Sequence, residues 1–105
     1  MNILHEADMI TSGDRNKSYG APIDNHGCTA AMWSAWLSRR HGVPITLTPE
    51  DVCFLNILQK ASRGANGADI KRDTIVDIAG FARNIEMIMD ARPDSPVTET
   101  FGPMK

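Results

Sequence analysis

Thr48-Pro49-Glu50-Asp51-Val52-Cys53-Phe54-Leu55-Asn56-Ile57-Leu58 decides the fold. Thr48 is an N-cap residue, Pro49 suits the first helical position, and two acids occupy the positive end of the helix dipole. Behind them Val52, Leu55 and Leu58 repeat at helical spacing, with Phe54 and Ile57 widening the stripe. The pattern predicts a helix to about Ser62, with Asn56, Lys60 and Arg63 on a polar edge. The glycine-containing stretch 63–68 reads as a loop.

The same reading extends outward in both directions. Ile3, Leu4, Ala7 and Ile10 give a short helix over 3–12, stopped by Gly13. Residues 13–22 are polar and end in Gly20-Ala21-Pro22, a loop. A helix over 23–41 follows, with Asp24 or Asn25 as its N-cap and Cys28, Ala31, Met32, Ala35 and Trp36 as its apolar stripe. Trp33 and Leu37 make that stripe wide enough for two neighbours or a second subunit. Arg39, Arg40 and His41 suit its C-terminal end, and Gly42 stops it. The last helix covers about 73–91, with Ile75, Ile78, Ala82, Ile85 and Met89 as its stripe. Val43-Pro44-Ile45-Thr46-Leu47 is the only strand-like run, and its proline argues against a strand. The expected architecture is all-α: about four helices in a small bundle spanning 1–91, then an extended or disordered tail over 92–105 with three prolines.

The totals bound the function. The chain has 105 residues, a net charge of −2 and 42% hydrophobic residues, which fits one globular domain rather than a general nucleic-acid binder. No run approaches the roughly 18 apolar residues of a membrane span. The N-terminus lacks the form of a secretory signal, so the expected address is the cytoplasm of a bacterial host cell. Cys28 and Cys53 are expected to be reduced, buried thiols. A short chain with a wide apolar helix face is expected to form a homo-oligomer, a dimer by default.

The chemistry concentrates around Gly13–Gly20. Arg15 has the fork that grips phosphate or carboxylate, Lys17 adds a point charge, Tyr19 offers a ring for stacking, and Asp14 lies among them. The Walker pattern is absent. Lys60 and Arg63 stand one turn apart, and Lys71 and Arg72 follow beyond the glycine stretch. Asp73 and Asp77 face one way on the last helix. Asp73 is placed as an N-cap. Asp77 lies in the apolar run Ile75–Ala79 and needs a partner, with Lys60, Arg63 or Arg15 available. Gly80, one turn on, leaves room for close approach. His5, His26 and His41 lack metal-ligand spacing and read as surface or capping residues. Covalent catalysis has no nucleophile in a suitable context.

Ser12-Gly13-Asp14-Arg15, Tyr19-Gly20, Asn25, Trp33, Pro49-Glu50-Asp51-Val52, Lys60 with Arg63, and Asp73 with Val76-Asp77-Ile78-Ala79-Gly80-Phe81-Ala82 occur in that order. The string resembles a small phage and prophage helical domain family of unknown function over residues 6–90. This chain has Phe81 where that family's run ends in tyrosine. The resemblance implies a viral or prophage origin and a helical fold. A fainter similarity is to the all-α, MazG-like nucleotide pyrophosphohydrolases, which hold Mg²⁺ with paired acids on facing helices. Here only Asp73 and Asp77 suit that role, while Asn56, Gln59 and Lys60 stand where facing acids are wanted.

The leading expectation is therefore a binding protein without a cofactor. Asp14, Arg15, Lys17, Tyr19, Asn25, Lys60, Arg63, Asp73 and Asp77 would hold an anionic, nucleotide-like ligand. By analogy with other small phage proteins, it would act as a sponge for the nucleotide signals of bacterial antiviral defence. The alternatives are a Mg²⁺-dependent nucleoside triphosphate pyrophosphohydrolase and a protein-directed inhibitor or structural module using the Trp33/Trp36 helix.

Overall fold

The computed structural model describes residues 1–13 and 19–92. These form four helices: α1 (Ile3–Ser12), α2 (Pro22–His41), α3 (Pro49–Asn66) and α4 (Arg72–Ala91). The fold is a small all-α bundle, and no strand occurs among the described residues. The expectations on Asp14, Arg15, Lys17 and the tail beyond Arg92 lie outside the described residues.

The strongest local signal is realised in full. Thr48 Oγ1 accepts from Asp51 N at 3.2 Å, and an Asp51 carboxylate oxygen accepts from Thr48 N at 2.9 Å, a reciprocal capping box. Other boundaries differ. The N-cap of α2 is Ala21 with Pro22 at the first helical position, so Asp24 and Asn25 lie inside the first turn. Proline's fixed φ starts the helix where no side-chain cap is present. α3 runs past Ser62 to Asn66 and includes Gly64, because one glycine in an exposed turn costs only about 1 kcal/mol against continued backbone bonding. Its end closes at Gly67, whose N–H donates to Arg63 O at 3.1 Å. α4 is capped at Lys71 and begins at Arg72, so Asp73 sits in the first turn instead of at the N-cap.

The segment between α2 and α3 doubles back along α2. Gly42 ends α2 in the left-handed conformation (φ +70°), and its N–H donates to Ser38 O at 2.9 Å. Ser38 Oγ then accepts from Ile45 N (2.8 Å) and donates to Ile45 O (3.0 Å). One turn earlier, Ser34 Oγ accepts from Leu47 N at 2.8 Å and donates to Ala30 O at 2.6 Å. The strand-like run is thus an extended strap satisfied by serine side chains.

α4 packs against α1, α2 and α3. α3 and α4 are antiparallel, since Glu50 at the start of α3 pairs with Arg92 just past α4, and Lys60 pairs with Asp77 nearer the other ends. Glu6 and Asp8 of α1 pair with Arg72 and Arg83 of α4. The fully buried apolar core is small: Ala7, Ala30, Val52, Cys53, Val76 and Ile88.

The buried faces differ from those read in the sequence. On α2 the inward residues are Pro22, His26 and Ala30, while Cys28, Ala31, Met32, Ala35 and Trp36 are exposed. On α3 they are Val52 and Cys53, with Asn56, Ile57 and Lys60 half-buried, while Phe54, Leu55 and Leu58 face out. On α4 Val76 and Ile88 are buried, and Ile75 and Ala82 are exposed. Each long helix has apolar residues on more than one side. Polar groups that find partners across the bundle select which side turns inward. Cys28 is therefore an exposed thiol, whereas Cys53 is buried and its pKa is pushed up to about 11 by desolvation.

Candidate functional site

The inward polar groups surround a cavity of about 180 Å³ between α1, α2, α3 and α4. Its apolar walls include Ala7, Ile10, Val76 and Phe81, and its polar groups are Thr11, Tyr19, Asn25, His26, Lys60, Asp77 and Asn84. α4 supplies one wall by simple periodicity: Val76, Gly80 and Asn84 are spaced by four, with Asp77 and Phe81 beside them.

His26 is 7% exposed and packs edge-on against Phe81, with ring centroids 6.1 Å apart. Asn84 Nδ2 donates to His26 Nε2 at 3.1 Å, which matches a neutral imidazole carrying its proton on Nδ1. Burial lowers the His26 pKa below its usual value, so this ring is uncharged at neutral pH. The surface or capping role read from the sequence does not apply to it. Thr11 is also buried, and its hydroxyl is satisfied internally by Ala7 O at 2.8 Å. That leaves the Thr11 methyl facing Gly80, where an added Cβ would sit 3.6 Å away, at ordinary contact.

Lys60 Nζ lies 2.9 Å from Asp77 Oδ2, so Asp77 has found one of the three cations that the sequence offers. The pair stands between the cavity and a second groove lined by Lys60, Arg63, Gly67, Asp69, Lys71, Asp73 and Asp77. One ion pair thus belongs both to the mixed polar and apolar cavity and to a groove with three cations and three carboxylates.

Of the residues singled out in the sequence, Tyr19, Asn25, Lys60 and Asp77 line the cavity, and Arg63 and Asp73 line the groove. Tyr19 is well exposed at the cavity edge. Asp14, Arg15 and Lys17 lie outside the described residues. His26, Phe81 and Asn84 were not singled out as site residues. The seven-residue spacing from Asp77 to Asn84 on one helix face is the signal that could have found Asn84.

Asp77 is engaged by Lys60, and among the described residues no group of three His, Cys, Asp or Glu side chains comes together to hold a metal. No helix among the described residues is long and apolar enough to cross a membrane.

Residues 2–88 match the family model described as Domain of unknown function (DUF6378). The Gene 55 protein of Mycobacterium phage L5 is 40% identical over 86 residues, covering 82% of this chain and 51% of that protein. The Gene 55 protein of Mycobacterium phage D29 is 35% identical over 89 residues, covering 85% of this chain and 54% of that protein. The chain therefore spans about half the length of these curated relatives. No solved structure matches it.

Proposed function

We propose that this chain, which belongs to the DUF6378 family, is a small-molecule binding domain that captures an anionic, nucleotide-like ligand. The observation that carries this reading is one ion pair shared by two compartments. The cavity combines apolar walls with convergent polar groups, the kinds of side chain that build a ligand pocket. An apolar cavity of roughly 150 Å³ takes a benzene ring, so about 180 Å³ admits a ring of nucleobase size but not a whole nucleotide. The base would lie against Phe81, with Asn25, Asn84 and neutral His26 reading its edge. The anionic part would lie outside, toward Arg63 and Lys71, with Lys60 able to exchange Asp77 for a phosphate oxygen. Arg15 and Lys17, close in sequence to Tyr19, are further candidate phosphate contacts.

The phage relatives give this reading a context in which a nucleotide signal of host defence is the captured ligand, held as by a sponge and not turned over. Isothermal titration against cyclic dinucleotides, other signalling nucleotides and ordinary nucleoside triphosphates tests it. We expect heat from one class. Asn84→Leu should weaken that binding roughly tenfold or more, because the edge of the base loses a buried partner. Absence of heat across the panel, or binding indifferent to both Asn84→Leu and Asp77→Asn, would reject the site.

A further inference from the structure

We propose that the outward face of α2 is the seam of a symmetric dimer with a second copy of this chain, the two helices running antiparallel with Met32 beside the two-fold axis.

Two observations point to an assembly. Among the described residues fourteen large apolar or aromatic side chains are exposed, several of them side by side on one helix, as at an association surface. One run of exposed apolar surface follows α2. Met32 is 68% exposed and Trp36 64%, and Cys28, Ala31 and Ala35 lie exposed on the same side. His26, Ala30 and Ser34 occupy the opposite side, so this face is turned directly away from the bundle.

The ends of the face identify the occupant. Asp24 stands at its N-terminal end and Arg39 at its C-terminal end, both exposed. Parallel pairing of two copies would set arginine against arginine and dipole beside like-directed dipole. Antiparallel pairing about Met32 sets Asp24 against Arg39 of the second copy, and Cys28 against its Ala35. Met32 then meets its own equivalent. A two-fold interface requires a surface complementary to itself, and this sequence of acid, apolar centre and base has that property. The small residues Ala31 and Ala35 allow close approach, while Trp36 supplies the large anchor typical of interface centres.

Sedimentation velocity on the wild-type chain across a dilution series tests the proposal, with a mass twice that of the chain expected at the concentrated end. Met32→Glu and Trp36→Glu should each give monomer with unchanged helical circular dichroism. Asp24→Arg should raise the dissociation constant roughly tenfold, and Arg39→Asp in the same chain should recover part of that loss. In a Cys28→Ser background, Met32→Cys should be joined to dimer by a short bis-maleimide. A wild-type chain that is monomeric throughout overturns the proposal. So does a dimer that survives both glutamate substitutions on α2, or one that Phe54→Glu on α3 dissociates while they do not.

Discussion

At the residue scale, His26 makes the sharpest prediction. Its folded pKa lies below the usual 6.5 because the cation would be desolvated, so the unfolded chain takes up the proton first as pH falls. The stability that His26 contributes is present above about pH 6.5 and is lost as the pH falls toward its folded pKa. Urea midpoints should fall between neutral and mildly acidic pH, and His26→Gln should flatten part of that slope. An unchanged slope in the variant would mean that the ring is not held neutral. Gly80 offers a separate probe. Its added methyl would make ordinary contact with Thr11, so Gly80→Ala should raise stability by about 0.5–1 kcal/mol through helix propensity. The same methyl narrows the cavity, so ligand affinity should fall in a protein that melts higher. A fall in both would show that the residue serves packing alone.

At the scale of elements, the serine-held strap between α2 and α3 is the feature least expected from its composition. Ser38→Ala removes the acceptor of Ile45 N and the donor to Ile45 O together, and should cost about 1–2 kcal/mol in denaturant unfolding. Thr48→Ala, which opens the capping box, should cost about 1 kcal/mol. An exposed serine making no such bonds would cost almost nothing, so the comparison is direct. These elements also show what was legible. Helix number and type were readable because caps, prolines and glycines act locally: Thr48-Pro49, Gly13 and Gly42 needed no tertiary information. The inward faces were not readable, because an apolar stripe says that a surface must be covered without saying by what. On α2 the stripe is legible, but it lies outside while His26 and Ser34 turn in. The site suffered the same ambiguity. Lys60 and Asp77 were visible as charges in unusual places, whereas Asn84 and His26 acquire meaning only once α2 and α4 meet.

At the scale of the whole molecule, the bundle is arranged inside out relative to a simple amphipathic design. Polar side chains on all four helices converge on the cavity, and apolar ones on α2 and α3 face outward. None of the cavity-lining residues lies on the outward face of α2 formed by Cys28, Ala31, Met32, Ala35 and Trp36. Ligand capture and self-association should therefore separate: a monomeric Trp36→Glu variant should bind the same nucleotide with an affinity within about threefold of wild type. A large loss of affinity on dissociation would place part of the site in the second copy.

The two cysteines have contrasting positions, Cys28 exposed on the outward face of α2 and Cys53 fully buried with its thiol held protonated. The wild-type chain thus carries two chemical clocks. Under native conditions a thiol reagent should modify Cys28 first, more slowly as protein concentration rises and the seam closes. Cys53 should react only when the bundle opens, so its rate, divided by that of a free thiol, measures the opening equilibrium. A single labelling time course followed by mass spectrometry would then report both the assembly and the stability of the fold, with no substitution introduced.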